Sequence, residues 1–160
     1  MIVQADGVVP TPWRNGGGRT RELLRWPAEG DWRLRLSLAD IAADGPFSPF
    51  PGVARWFVVV QGDGVALRFG DGDRQLRAGD APLRFDGAQA PGCRLLGGAT
   101  RDLNLMLRGL DGELAIAHAG QTWAAAWPMR GFFEAGTHQL HWPCAADRAP
   151  ADGWWIGAAA

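Results

Sequence analysis

The 160-residue chain predicts an all-β fold of antiparallel strands closed into a barrel or sandwich. Three observations carry this: apolar and polar residues alternate in several segments, glycine-rich turns separate those segments, and almost no stretch repeats at the helical period. Trp32, Leu34, Leu36 and Leu38 alternate with Arg33, Arg35, Ser37 and Ala39, as in a strand with one face in a core. Trp56 to Val60 is a continuous apolar, β-prone run, closed by Gln61-Gly-Asp-Gly64, whose glycines suit a hairpin. Val65 to Phe69 returns, and Gly70-Asp-Gly-Asp73 turns again before Gln75 to Arg77. Leu103, Leu105 and Leu107 alternate with Asp102, Asn104 and Met106 in a further strand.

The length suits a single domain over residues 1–160, large enough to bury a core. Residues 1–109 form its legible first part. Residues 110–160, rich in Ala, Trp and Gly, read as a degenerate second barrel half on which Trp123, Trp127, Trp142, Trp154 and Trp155 bury surface. The terminal Ala158-Ala-Ala160 is expected to fray.

A formal charge of −1 argues against nucleic acid as a bulk partner. All 16 basic residues are arginine, and there are nine tryptophans but no tyrosine, a bias that codon drift explains without function. Locally arginine does matter, because its planar fork binds carboxylates bidentately where lysine does not. No apolar run approaches bilayer length and no charged-then-apolar segment opens the chain, so a cytoplasmic location without membrane contact is expected. Cys93 and Cys144 lie far apart and read as free thiols, with no disulfide framework.

Two stretches, Trp56 to Gly64 and Arg77 to Gly87, resemble the motifs of the cupin barrel. The first cupin motif has His-x-His, then Glu, then Gly seven residues later; the second is Gly-x5-Pro-x-Gly-x2-His-x3-Asn. Gly62 matches the closing glycine of the first, which puts Arg55 at the glutamate and either Pro49 and Pro51 or Ser48 and Phe50 at the histidines. In the second, Gly79 and Gly87 match, Phe85 replaces the proline, Ala90 stands at the histidine and Arg94 at the asparagine. The resemblance implies an RmlC-like barrel, one that can pair as a homodimer through sheet edges. Every metal-ligand position is changed, and first-row metals need imidazole, thiolate or carboxylate donors, so no metal and no cofactor is expected.

Four further segments are similar to a narrower family. Pro12-Trp-Arg-Asn-Gly-Gly-Gly-Arg-Thr-Arg-Glu22 resembles the Pro-Trp-Lys-Asn-Gly-Gly-Gly-x-Thr-Arg-Glu signature of the HutD/Ves family. Arg35 to Asp40 resembles its Arg-x-Ser-x-Ala-Asp/Glu strand; Asp44 to Ser48 with Phe50-Pro-Gly52, and Leu95 to Gly98 with Arg101 to Met106, resemble its later segments. They follow in order over residues 12–106, with Arg14 replacing a lysine. The resemblance implies a metal-free, bicupin-like protein of the bacterial histidine-utilisation genes, one that senses or buffers an acid such as urocanate or formylglutamate rather than transforming it.

The residues themselves fit a pocket for a small carboxylate. Asn15 with Gly16, Gly17 and Gly18 would let backbone N–H groups approach an anion, flanked by Trp13, Arg14 and Thr20; a plain flexible turn is the alternative. Arg35 and Ser37 share a strand face opposite the leucines, turned either to solvent or into a barrel lumen. In a lumen Arg35 needs Asp40, Asp102 or a ligand carboxylate. Asp102 and Asn104 share another face and pair an acceptor with an amide, although they could equally cap a loop. Ser48 and Phe85 complete the candidate set.

His138, His141 and Cys144 are spaced by threes, but Gly136 and Pro143 interrupt any helix that would aim them at one metal ion. His118 stands alone, and no Gly-x-Ser-x-Gly elbow occurs. Two classes remain open: a non-catalytic binding protein, and a metal-independent isomerase, epimerase or lyase acting on a small acid with Asp40 or Asp102 as base. A base of shifted pKa inside the pocket would separate them.

Overall fold

The computed structural model describes residues 1–160. Its strands are β1 Ile2–Gln4, β2 Thr11–Pro12, β3 Gly18–Trp26, β4 Leu34–Ile41, β5 Gly45–Pro46, β6 Val53–Gly62, β7 Val65–Phe69 and β8 Gly72–Leu76. They continue with β9 Leu83–Asp86, β10 Gly92–Leu95, β11 Thr100–Arg108, β12 Asp111–Ala117, β13 Met129–Glu134, β14 Gln139–His141 and β15 Gly153–Ala159. A 3-10 turn at Ala5–Gly7 is the one helical element.

The strands make three antiparallel sheets, in the orders β2-β3-β4-β11-β6-β9, β5-β10-β7-β8 and β1-β14-β13-β15-β12. The six-stranded sheet lies in the middle, because each of its faces meets a different layer. Its outer face carries Leu34, Leu36 and Leu38 of β4 with Leu103, Leu105 and Leu107 of β11. These pack on Leu114, Phe133, Leu140, Trp154 and Ile156 of the five-stranded sheet in one continuous core. Its inner face closes with the four-stranded sheet into the barrel, where Phe57, Val59, Val65, Leu67, Phe69 and Phe85 fill one end. The strict alternation of β4 and β11 therefore separates two interiors: leucines go to the inter-sheet core and polar residues to the barrel lumen.

Two expectations about strand ends are corrected. The strand expected from Trp32 begins at Leu34. Ala158 does not fray; β15 holds it between β12 and β13, fully buried. The second part is an open five-stranded sheet that recruits β1 from the N-terminus, and loops cover its far face. There Trp123 stacks on Trp155 at 5.0 Å, with the Arg130 guanidinium over both rings. β3 shows no regular period in the sequence because its pattern breaks. The pairing with β4 shifts register between Glu22 and Leu24, so neighbouring Leu23 and Leu24 are both buried.

Candidate functional site

The register of the middle sheet sets polar residues in rows across the lumen. Arg35 of β4, Met106 of β11, Arg55 of β6 and Phe85 of β9 stand side by side. Glu22, Ser37, Asn104 and Phe57 form the next row, and Thr20, Ala39, Asp102 and Val59 the third. A cavity of about 710 Å³ lies over these rows, walled on its other side by the loops carrying Trp13, Arg14, Asn15, Phe47, Ser48 and Phe50.

Arg55 is 4% exposed. Its guanidinium carbon sits 5.4 Å from the Phe47 ring centroid, 5.4 Å from Phe50 and 5.1 Å from Phe85, a three-sided aromatic cage favourable to a cation. Nη1 donates one long hydrogen bond, 3.5 Å, to the Ser48 carbonyl, and Nε has no partner. Burial pulls the Arg55 pKa down to about 10 against the opposing charge of Asp102, and the like charge of Arg35 adds to the fall. The group stays cationic at neutral pH but lacks the hydrogen bonds that normally accompany a buried charge.

Arg35 faces the lumen and finds a partner that the sequence did not indicate: its Nε donates to Glu22 Oε1 at 2.9 Å. Asp102 is 2% exposed, and burial pushes its carboxyl up to about 8, Arg55 opposing and Asp40 reinforcing the shift. Asn104 and Ser37 are buried beside it. Neither Asp102 Oδ1 nor Asn104 Oδ1 has a hydrogen-bond donor.

The N-terminal loop contributes its side chains rather than its glycines. Trp13 Nε1 donates to Thr20 Oγ1 at 2.7 Å, which fixes the indole at the rim, and Trp13, Arg14, Asn15 and Thr20 line the cavity. Gly16, Gly17 and Gly18 do not. Gly16 takes a φ of 73°, and the Gly17 N–H is occupied by Asn15 Oδ1 at 2.8 Å, so no free backbone nest remains there. Gly18 allows a close approach, since a Cβ there would strike the Asp40 carbonyl and lie 3.0 Å from the Trp13 ring.

Asp40 stands outside the cavity. Even-numbered β4 residues belong to the leucine face, and Asp40 ends that face in contact with three arginines: Arg19 at 3.2 Å, Arg21 at 2.8 Å and Arg101 at 2.7 Å. Burial would raise its pKa, but hydrogen bonds from Arg101 and Arg21 outweigh that and hold it at about 2. Arg101 also pairs with Asp6 at 3.0 Å and lies 2.9 Å from His138 Nδ1, tying the barrel to the second sheet. Phe85 supports Arg55 from below and borders a smaller hollow of about 540 Å³. Ser48 lines the main cavity.

A cupin metal does not fit these residues. The glutamate position holds a caged cation, Arg94 is exposed on β10, and no three His, Cys, Asp or Glu side chains gather closely enough to bind an ion. His138 lies against Arg101, His141 Nε2 is 3.8 Å from Glu134, and Cys93 and Cys144 are free thiols. Burial drives the Cys93 thiol up to about 12, with Asp102 and Asp44 adding to the shift.

The sequence reading missed Arg55, Glu22, Phe47 and Phe50 as site residues. For Arg55 the signal was present: it stands where cupins place a lumen-facing ligand. For Glu22 the bulge at residues 22–24 hid the face.

The HutD family profile matches residues 5–136. The chain belongs to the HutD family. A 21.2 kDa protein of the hutC 3′ region of Pseudomonas putida is 44% identical over 109 residues, 66% of this chain and 57% of that protein. Protein Ves of Citrobacter koseri is 38% identical over 98 residues, 60% of this chain and 51% of Ves. The match thus spans little more than half the length of these relatives. HutD from Pseudomonas fluorescens SBW25, solved in a formate condition, superposes with a TM-score of 0.88 at 27% identity, covering 99% of this chain and 97% of that one. A conserved protein of unknown function from Pseudomonas aeruginosa PAO1 gives 0.78 at 27% identity, covering 99% and 92%. The likeness to HutD therefore continues through the second sheet, beyond the Met106 limit of the sequence motifs. A predicted oxalate decarboxylase from Thermotoga maritima shares the fold, with a TM-score of 0.56 at 17% identity over 68% of this chain and 99% of that one.

Proposed function

We propose that the chain is a cytoplasmic, metal-free HutD-type cupin whose lumen binds a small carboxylate, and that it senses or buffers an acid intermediate of histidine breakdown such as urocanate or formylglutamate. The observation that carries this reading is Arg55, a buried cation in the lumen whose Nε has no partner and which no acidic side chain hydrogen-bonds. A ligand carboxylate would supply an acceptor to a guanidinium whose one hydrogen bond is long, and such a charge-assisted bond is strong. Arg35 reinforces the positive end from the same row. The naming of a relative by its place beside hutC supports the histidine-pathway assignment.

A thermal-shift screen of histidine-pathway acids and unrelated carboxylates tests the reading. A ligand at a hundred times its Kd adds about 2.7 kcal/mol of stability. At least one acid should raise the melting temperature by several degrees, and a screen in which none does would refute carboxylate binding.

One observation favours a second reading. Asp102, raised to about 8 inside the cavity, has the character of a proton-transferring group. If the bound acid is consumed, as followed by NMR, and Asp102→Asn stops the turnover without abolishing binding, the chain is a metal-independent isomerase, epimerase or lyase.

A further inference from the structure

The five-stranded sheet ends in an edge with which no other strand of the chain pairs. β12 is its outermost strand, joined to β15 alone from Asp111↔Ala159 to Ala117↔Gly153 without a shift of register. No backbone group of β12 hydrogen-bonds to anything but β15. Successive residues of a strand turn their N–H and C=O groups to opposite sides, so every second residue of β12 presents both groups to the open side.

Proteins commonly blunt such edges by keeping them short or by placing charges, proline or a bulge on them. The other edges of this chain follow that practice. β2 and β5 have two residues each, β1 three and β9 four. β8 is exposed up to Leu76 and carries Asp73 and Arg74. β12 has seven residues, with no proline, no lysine and no bulge. Its mid-strand charge, Glu113, is turned onto the far face and held by Trp127 Nε1 at 2.8 Å. Leu114 and Ile116 pack on the inter-sheet core, and Ala115 packs against the cluster around Trp155. The strand is thus apolar on both faces, the character of a strand inside a sheet.

A second β12 matches this edge. A two-fold axis normal to the sheet brings the strand against itself in antiparallel sense, which is how two identical edges pair. Centred on Leu114, the pairing sets Ile116 opposite Gly112, a large residue against the smallest, and it sets Glu113 opposite Ala115 and Asp111 opposite Ala117. Centring on Glu113 would bring two glutamates face to face, and centring on Gly112 would set Asp111 against Glu113, so like charges oppose both shifts. Residues directly opposite share a face, so Leu114 of each copy extends the apolar core of the other.

We infer that β12 is the contact edge of a homodimer, in which the five-stranded sheets of two copies join through antiparallel β12 strands centred on Leu114 into one continuous sheet.

Sedimentation velocity of the full chain between about 0.1 and 200 μM, with hydrogen exchange measured over the same range, tests this. The mass should rise from 17.2 kDa toward twice that value. As it does, the open-side amides of residues 111–117 should exchange at least tenfold more slowly, while those of residues 72–76 on the β8 edge keep their rates. Ile116→Lys places an edge-blocking residue at the contact, and from this half-buried position its ammonium reaches solvent in the monomer. Dimerisation should weaken at least tenfold, with the melting temperature of the dilute variant as the folding control. If the variant does not fold, the exchange comparison on the wild type decides. A chain that stays monomeric throughout the range overturns the inference. A dimer that forms with undiminished affinity in Ile116→Lys, or whose formation leaves the exchange of residues 111–117 unchanged, uses another edge and overturns it too.

Discussion

Asp102 and Arg55 both lie buried in the lumen, two residue rows apart on adjoining strands, and no hydrogen bond joins them. Each charge is the main compensation for the other: Asp102 holds the Arg55 pKa up, and Arg55 holds that of Asp102 down. With its folded pKa at about 8, Asp102 is mainly protonated at neutral pH, which leaves the Arg55 cation for an incoming anion.

Stability should depend on pH through Asp102. Its folded pKa, about 8, lies above the ordinary 3.8, so the folded state binds more protons between those values. The contribution is fully present below pH 3.8 and is lost as pH rises through 8. Melting temperature should fall from pH 5 to 9 in the wild type and stay nearly flat over that interval in Asp102→Asn. Parallel profiles would place the titration elsewhere.

Asp40 carries a structural load apart from binding. Replacing it with Asn leaves Arg21, mostly buried, without its anion and Arg101 with Asp6 alone. A loss of about 2 to 4 kcal/mol in denaturant titration is expected, with affinity for the ligand unchanged. Its folded pKa of about 2 is below the ordinary 3.8, so this stabilisation is present above pH 3.8 and disappears as pH falls through 2. A tenfold change in affinity on Asp40→Asn would bring the residue back into the site.

Glu22 restrains Arg35 by competing for its guanidinium. Glu22→Gln should therefore strengthen carboxylate binding, by about threefold to tenfold, and Arg35→Met should weaken it at least tenfold, the worth of one charge-assisted hydrogen bond of about 1.5 to 3 kcal/mol. Calorimetry with the best acid of the screen measures both. Unchanged affinity in Arg35→Met would make Arg35 a rim charge only.

How much of this was legible in the sequence follows from period and context. β4 and β11 were readable because leucine alternates with polar residues, and those polar residues, Arg35, Ser37, Asp102 and Asn104, did converge on one cavity. The same period held the answer for Asp40: residues 35 and 40 differ in parity, so one strand cannot turn both into the lumen. Arg55 was harder to read because β6 is apolar on both faces, Phe57 and Val59 in the barrel and Val58 in the inter-sheet core, so no alternation marks which side is which. The Phe47–Phe50–Phe85 cage joins residues distant in sequence and exists only once the barrel closes. The glycine run looked like an anion nest, but its backbone geometry shapes the turn around Asn15 and Trp13.

The central claim, that Arg55 is kept for a ligand anion and not for the fold, is tested most directly by calorimetry on Arg55→Met with the acid giving the largest thermal shift. Methionine packs well among aromatic rings and removes a buried, poorly hydrogen-bonded charge. The account predicts a ligand-free melting temperature equal to or above that of the wild type, together with at least a tenfold loss of affinity. A destabilised variant that binds the acid with wild-type affinity would contradict it.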